Sequence, residues 1–230
     1  MNQPNTIHGY NLELVMALLV TDSSTRDFFE RKTVSDYDSF VNVLNKDLKK
    51  IIRDLQHDRH QFQSEAFGED AISSVIIKCL KTLNYDAEHD TQHGGHCDIL
   101  VKHQTLGFEW IGEAKLWKGQ KYIADGLEQL LTRYATAVEG ENCGGLLVYV
   151  KQPQAVEKMK TWRDTLAAHP STVSLDSLDG NITSLEFNSV QKAEATGLDY
   201  RLKNYFVSLY HASGSTPEYD ENGNEITLSA

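Results

Sequence analysis

The residues best suited to chemistry are a carboxylate and an amine two positions apart, Glu113 and Lys115, within the run Phe108 to Leu116. That run alternates and predicts a strand. Glu113 and Lys115 share one face with Glu109 and Ile111, while Phe108, Trp110, Ala114 and Leu116 share the other with Gly112. Ionised groups on so apolar a strand are costly unless paired or ligated. A further carboxylate, Asp98, opens the short apolar stretch Asp98-Ile99-Leu100-Val101, with fourteen residues between it and Glu113. A hairpin-like return would set it beside Glu113. Two converging carboxylates repel each other unless a cation offsets them. A small set of oxygen ligands suits Mg²⁺ or Mn²⁺, which keep several waters and accept phosphate oxygens. The spacing therefore points to metal-assisted hydrolysis of a phosphodiester, with Lys115 orienting or deprotonating the attacking water. The plainer reading is a Glu113–Lys115 surface pair on a half-exposed strand.

Several elements must position these groups. Apolar residues at 40, 44, 48, 51, 52 and 55 form a helical stripe whose outer face carries Lys46, Lys49, Lys50 and Arg53. A second helix is expected from about Ser64 to Leu83, with Ile72, Ile76, Leu80 and Leu83 inward. Ile123, Leu127, Leu130, Tyr134 and Val138 predict a third helix, broken by Gly144-Gly145. Leu146 to Val150 is a continuous apolar run of the kind found in central strands. Ala155, Met159, Trp162 and Leu166 suggest another helix. Val173–Leu175, Ile182–Phe187 and Tyr200–Tyr210 read as strands and connections. This order implies an α/β fold, one mixed sheet with helices on its faces.

With those elements in place, residues 65 to 150 resemble the core of the PD-(D/E)XK nucleases, the restriction-endonuclease-like superfamily. The likeness rests on Gly95-His96-Cys97-Asp98-Ile99-Leu100-Val101, on Trp110-Ile111-Gly112-Glu113-Ala114-Lys115, and on the order of elements around them. Cys97 stands where the motif has its nominal proline. The resemblance implies an αβββαβ core, with Asp98, Glu113 and the Ala114 backbone carbonyl as Mg²⁺ (or Mn²⁺) ligands and Lys115 as the water-positioning amine. It also implies an acid on the first helix, Glu69 or Glu65. Glu69 is preferred because it precedes Ile72 and Ile76 by three and seven residues on the inward stripe, and it would complete the acidic site or bind a second metal. Helix N-terminal acids facing solvent are the alternative. Gln129 matches a glutamine of the following helix, although Tyr134 lies five residues on where related nucleases have four. Asp125, Gln129 and Arg133 would form one helical stripe, facing either the DNA backbone and metal-bound water or solvent.

The resulting division is an N-terminal helical extension (1–60), a nuclease core (61–165), C-terminal strands packing on it (166–212) and a flexible acidic tail (213–230). The implied activity is a metal-dependent endonuclease acting on DNA, with RNA as an alternative, in bacterial restriction or antiphage defence. A homodimer or a partner protein of a defence system would complete it. The competing reading is a nuclease-like subunit whose main task is protein binding.

Other signals are weaker. His89, His93, His96, Cys97 and His103 invite a zinc reading, but neither HExxH nor CxxC accompanies them. A loop binding phosphate near Asp98, or solvated histidines, fit as well. Trp117 and Tyr122 could stack on a base or pack on the core. No GxxxxGK[ST], GxGxxG or GxSxG occurs, so ATPase, dehydrogenase and serine-hydrolase readings have no anchor. Three widely spaced cysteines argue for a reducing cytoplasm, and Leu14–Val20 is too short to span a bilayer. The net charge of −11 opposes binding nucleic acid by bulk charge. However, Lys46–Arg59, Lys115–Arg133 and Lys151–Arg163 each hold more bases than acids and could form a local basic track.

Overall fold

The computed structural model describes residues 6–7, 10–90, 97–178, 182–212, 218–219 and 225–226. A short ladder pairs β1 (Thr6–Ile7) with β2 (Tyr10–Asn11), and helices α1 (Leu12–Thr21) and α2 (Ser23–Lys32) follow. α3 (Tyr37–His57) starts at a capping box in which Asp36 and Ser39 bond reciprocally, and it buries the predicted stripe from Phe40 to Leu55. Next come α4 (Glu69–Thr82), β3 (Asp86–Asp90), β4 (Cys97–Lys102), β5 (Glu109–Leu116), α5 (Gln120–Gln129) and β6 (Cys143–Val150). α6 (Ala155–Ala167), β7 (Thr172–Leu175), β8 (Glu186–Lys192) and β9 (Asp199–Ser208) complete the main body. The expected acidic tail at 213–230 lies outside the described residues, apart from a ladder between β10 (Glu218–Tyr219) and β11 (Glu225–Ile226).

The seven strands β3 to β9 form one mixed sheet in the order β3-β4-β5-β6-β9-β8-β7. β5, β6 and β9 are mutually parallel at its centre, and the remaining pairs are antiparallel. α3 and α4 bury their apolar faces on one side with Ile99, Val101, Trp110, Ala114, Leu147 and Tyr149. α5 and α6 cover the other side, over Leu100, Ile111, Leu146, Val148 and Val150. The result is a three-layer α/β sandwich. Both faces of β6 are occupied, so all eight of its residues are buried. The segment after α6 continues the same sheet, and β9 pairs with β6 along its whole length.

Four local expectations change. The helix expected from Ser64 begins at Glu69, because Ser64–Phe67 closes a turn and Gly68 is the N-cap. The third helical stripe does not reach Val138: a π-turn at Leu130–Tyr134 ends it, and Val138 is exposed. Gly144 and Gly145 lie inside β6 rather than breaking a helix, because neighbouring side chains fill the space their side chains would need. A Cβ at Gly144 would lie 2.1 Å from the Tyr200 hydroxyl, and one at Gly145 would lie 2.5 Å from Trp110. Finally, Ile182–Ser184 is a 3₁₀ turn, and β8 starts only at Glu186.

β3 had no signal in the alternation. It is an edge strand with Ala87 as its one buried apolar residue. α1 is the opposite anomaly: it is almost wholly apolar yet buries no residue, and Val20 is 74 % exposed. Among the described residues no helix is long and apolar enough to cross a membrane.

Candidate functional site

Antiparallel pairing of β4 with β5 sets Ile99 against Gly112, which makes Asp98 and Glu113 the next residues along the register. The Ala114 N–H donates to Asp98 Oδ2 at 2.7 Å, so the Asp98 carboxylate folds over the β5 backbone at the motif itself. Glu113 points to the α5 side and is fully buried (0 %). Its Oε1 accepts from Lys115 Nζ at 2.6 Å, while its Oε2 is buried without a hydrogen-bond partner. Lys115 is also largely covered, its stem lying against α5 at Gly126. The Glu113–Lys115 pair is therefore buried, and the half-exposed surface pair does not describe it.

Electrostatics follow from this burial. Desolvation, reinforced by the Asp98 charge, pushes the Glu113 carboxyl up to about 7 against the opposing pull of Lys115. Desolvation also raises Asp98, partly offset by the Ala114 N–H and Lys115. Burial alone would lower the Lys115 amine, but the charge and hydrogen bond of Glu113 outweigh it and leave the amine raised. Two acids and one cation thus share a poorly solvated corner in which the acids resist ionising together.

Glu69 reaches the same corner from the first turn of α4. Its Oε1 accepts from the Leu116 N–H at 2.8 Å and from the Tyr122 hydroxyl at 2.9 Å, tying α4, the end of β5 and α5 together. Lys151, just past β6, donates to the Ser64 and Phe67 carbonyls and so pins the turn that leads into α4. Glu65 is exposed in that turn, four residues before the helix begins. Of the two candidate acids, Glu69 is the one brought to the site.

Gln129 sits at the end of α5, and its Nε2 donates to the Tyr134 hydroxyl at 2.9 Å. The five-residue interval between them is spanned by the π-turn, where the Ala135 N–H bonds the Leu130 carbonyl. A π-turn brings residues i and i+5 together, as an α-turn does residues i and i+4. The same turn takes the exposed Arg133 out of the stripe begun by Asp125 and Gln129.

Trp117 packs toward Phe206 at 6.2 Å between ring centres, and Lys118 Nζ lies 4.5 Å over the Tyr122 ring. The aromatic pair is thus held by the protein itself. Of the cluster, only His89, Cys97 and His103 lie among the described residues, and these three do not form a metal-binding group. His103 lies past the far end of β4, its ring against Phe40 and Phe108, and His89 Nε2 meets Ser74 Oγ. His93 and His96 lie outside the described residues.

The charge tracks also sort themselves. Lys46 and Lys50 pair with Asp27, and Lys49 with Glu186, so the outer face of α3 is largely neutralised. Lys158, Lys160 and Arg163 are engaged by nearby oxygens. Lys118 and the exposed Lys121 flank the N-terminus of α5, close in sequence to Lys115.

Among the described residues no three His, Cys, Asp or Glu side chains are gathered so as to hold a metal ion. Asp98 and Glu113 remain as a two-carboxylate donor set, and the partnerless Glu113 Oε2 is an oxygen that a hard cation would satisfy. Mg²⁺ is commonly held by one or two carboxylates and waters, so these residues fit it. Sequence reasoning missed Gly126 and the hydrogen bond of Tyr122 to Glu69. The only hint of the first was a glycine inside a helical stripe. No family model, curated protein or solved structure matches the chain.

Proposed function

We propose that this chain is a metal-dependent phosphodiesterase of the PD-(D/E)XK class, a nuclease acting on DNA. The observation that carries the reading is the fully buried Glu113 carboxylate, bonded to Lys115 through one oxygen, partnerless at the other, and neighboured by Asp98. A sheet that needed these groups only for stability would do better with apolar ones. The element order α4-β3-β4-β5-α5-β6, which reads αβββαβ, also supports the likeness.

Asp98 and Glu113 would hold Mg²⁺ or Mn²⁺, with the Ala114 carbonyl as a further ligand by the resemblance. When bound, such an ion acidifies water and stabilises charge on the transferring phosphoryl group. Lys115 orients the attacking water and neutralises charge at the scissile phosphate. Glu69 is a positioning residue: its bonds to the Leu116 N–H and Tyr122 fix the end of β5 relative to α4 and α5. Gln129 acts on the shape of α5 through Tyr134. Lys118 and Lys121 supply cations for the DNA backbone. Restriction or antiphage defence is the biological setting this class suggests.

The second reading, a nuclease-like subunit working inside a protein complex, is favoured by α1, where Leu14, Met16, Leu18 and Val20 are exposed and no residue is buried. A panel of supercoiled, linear and single-stranded DNA and of RNA, each with Mg²⁺ or Mn²⁺, tests both. Cleavage by the lone chain supports the first reading. Cleavage that appears only with a copurifying protein supports the second, and none under either condition removes both.

A further inference from the structure

The edge of the sheet farthest along β4 from Asp98 holds a cavity of about 170 Å³, bounded by the end of α2, the start of α3 and the β3–β4 pair at Asp86 and Lys102. Its wall carries three cations, Arg31, Lys32 and Lys102, against the single carboxylate of Asp86. Lys32 has no ion-pair partner among the described residues; its amine lies 5.9 Å over the Phe28 ring. Lys102 meets Glu109 only at 3.8 Å. Arg31 bonds the buried Asp47 through Nη1, but its Nε is buried with no acceptor.

The neutral donors agree with the charges. His103 Nδ1 accepts from the Thr105 and Leu106 N–H groups, so a neutral imidazole there carries its proton on Nε2, as a donor. The Tyr85 hydroxyl is spent on Asp47. Donors outnumber acceptors, and the rings of Phe40 and Tyr85 line the same space.

We propose that this cavity binds a small phosphomonoester, its dianion met by Lys32 and Lys102 and its organic part set against Phe40 and Tyr85. The cavity is small for a ligand pocket but opens to solvent, so it would take the phosphate and the adjoining part of the ligand, the rest lying outside it. It stands apart from the Asp98–Glu113 corner, and the proposal does not rest on the nuclease reading. β4 joins the two places directly, from Asp98 to Lys102.

The test uses the full chain and three probes, adenosine 5′-monophosphate, inorganic phosphate and adenosine, followed by NMR titration of the His103 ring and by calorimetry. Adenosine monophosphate is expected to shift the His103 resonances and bind at least tenfold more tightly than adenosine, with inorganic phosphate competing. The double variant Lys32→Gln/Lys102→Gln, at one exposed and one partly exposed side chain, is expected to lose at least tenfold in affinity, and Lys192→Gln none. The proposal is overturned by no response to either phosphate probe at about 10 mM, by adenosine binding as well as its phosphate, or by full affinity in the double variant.

Discussion

The side chain of Lys115 occupies the space that a side chain at Gly126 would fill. An ideal Cβ at 126 would lie 2.8 Å from Lys115 Cγ and 2.9 Å from its Cε. Glycine in mid-helix costs about 1 kcal/mol relative to alanine, so α5 gives up helix stability where the amine must pass on its way to Glu113. Gly126→Ala is expected to leave overall stability within about 1 kcal/mol of wild type, since better helix propensity offsets the crowding. Cleavage should nevertheless fall at least tenfold, because the displaced Lys115 amine loses its place on Glu113. Chemical denaturation beside a rate assay separates the two effects.

The raised Glu113 carboxyl makes a pH prediction with a definite sign. An unfolded glutamate titrates near 4.3, whereas Glu113 in the fold is held up to about 7, chiefly by burial. Between those values the folded chain holds a proton that the unfolded chain releases. The stability tied to Glu113 is therefore full below about pH 4 and is lost as pH rises through 7. The metal-free melting temperature is expected to fall between pH 5 and 7.5 more steeply in wild type than in Glu113→Gln. Added Mg²⁺ should raise it more at pH 8 than at pH 5.5, since a bound cation requires the ionised carboxylate.

Glu69 and Glu65 are four residues apart and should behave differently. Glu69→Ala strips the Leu116 N–H and Tyr122 hydroxyl of their acceptor, a loss of about 1–2 kcal/mol. Glu65→Ala, at an exposed turn, should stay within about 0.5 kcal/mol of wild type. Urea unfolding of the two variants measures the difference. Tyr122→Phe should reproduce part of the Glu69→Ala effect.

The glycines of β6 make a packing prediction. Gly144→Ala would drive its Cβ to 2.5 Å from the Ile111 carbonyl as well as against Tyr200. Neither the backbone of β5 nor a fully buried tyrosine can give way cheaply, so a loss of about 3 kcal/mol or more is expected. Thermal unfolding by circular dichroism reads it.

Periodicity made the central elements legible. The α3 stripe, the alternation of β5 and the apolar run of β6 each bury what their spacing predicts, because a helix or strand with one strong apolar face has few places to go. The carboxylate–amine spacing on β5 likewise placed Glu113 and Lys115 on one face, and the short return from β4 brought Asp98 beside them. What stayed hidden depends on tertiary partners. β3 is an edge strand with little to bury, and Gly144-Gly145 read as a break because the aromatic rings that demand small residues there come from β5 and β9. The π-turn after Gln129 is set by one extra residue between Gln129 and Tyr134, a difference that helical spacing alone presents as a misfit. Gly126 is explained only by Lys115, on a different element.

The central claim, that Asp98, Glu113 and Lys115 form a metal-dependent phosphodiesterase site, is tested most directly by DNA cleavage across a Mg²⁺ titration with wild type, Asp98→Ala and Lys115→Ala in parallel. Cleavage that rises with Mg²⁺ in wild type and drops at least a hundredfold in both variants is the predicted result. Absence of cleavage of any DNA or RNA form with Mg²⁺ or Mn²⁺, or cutting by Lys115→Ala at the wild-type rate, would contradict it.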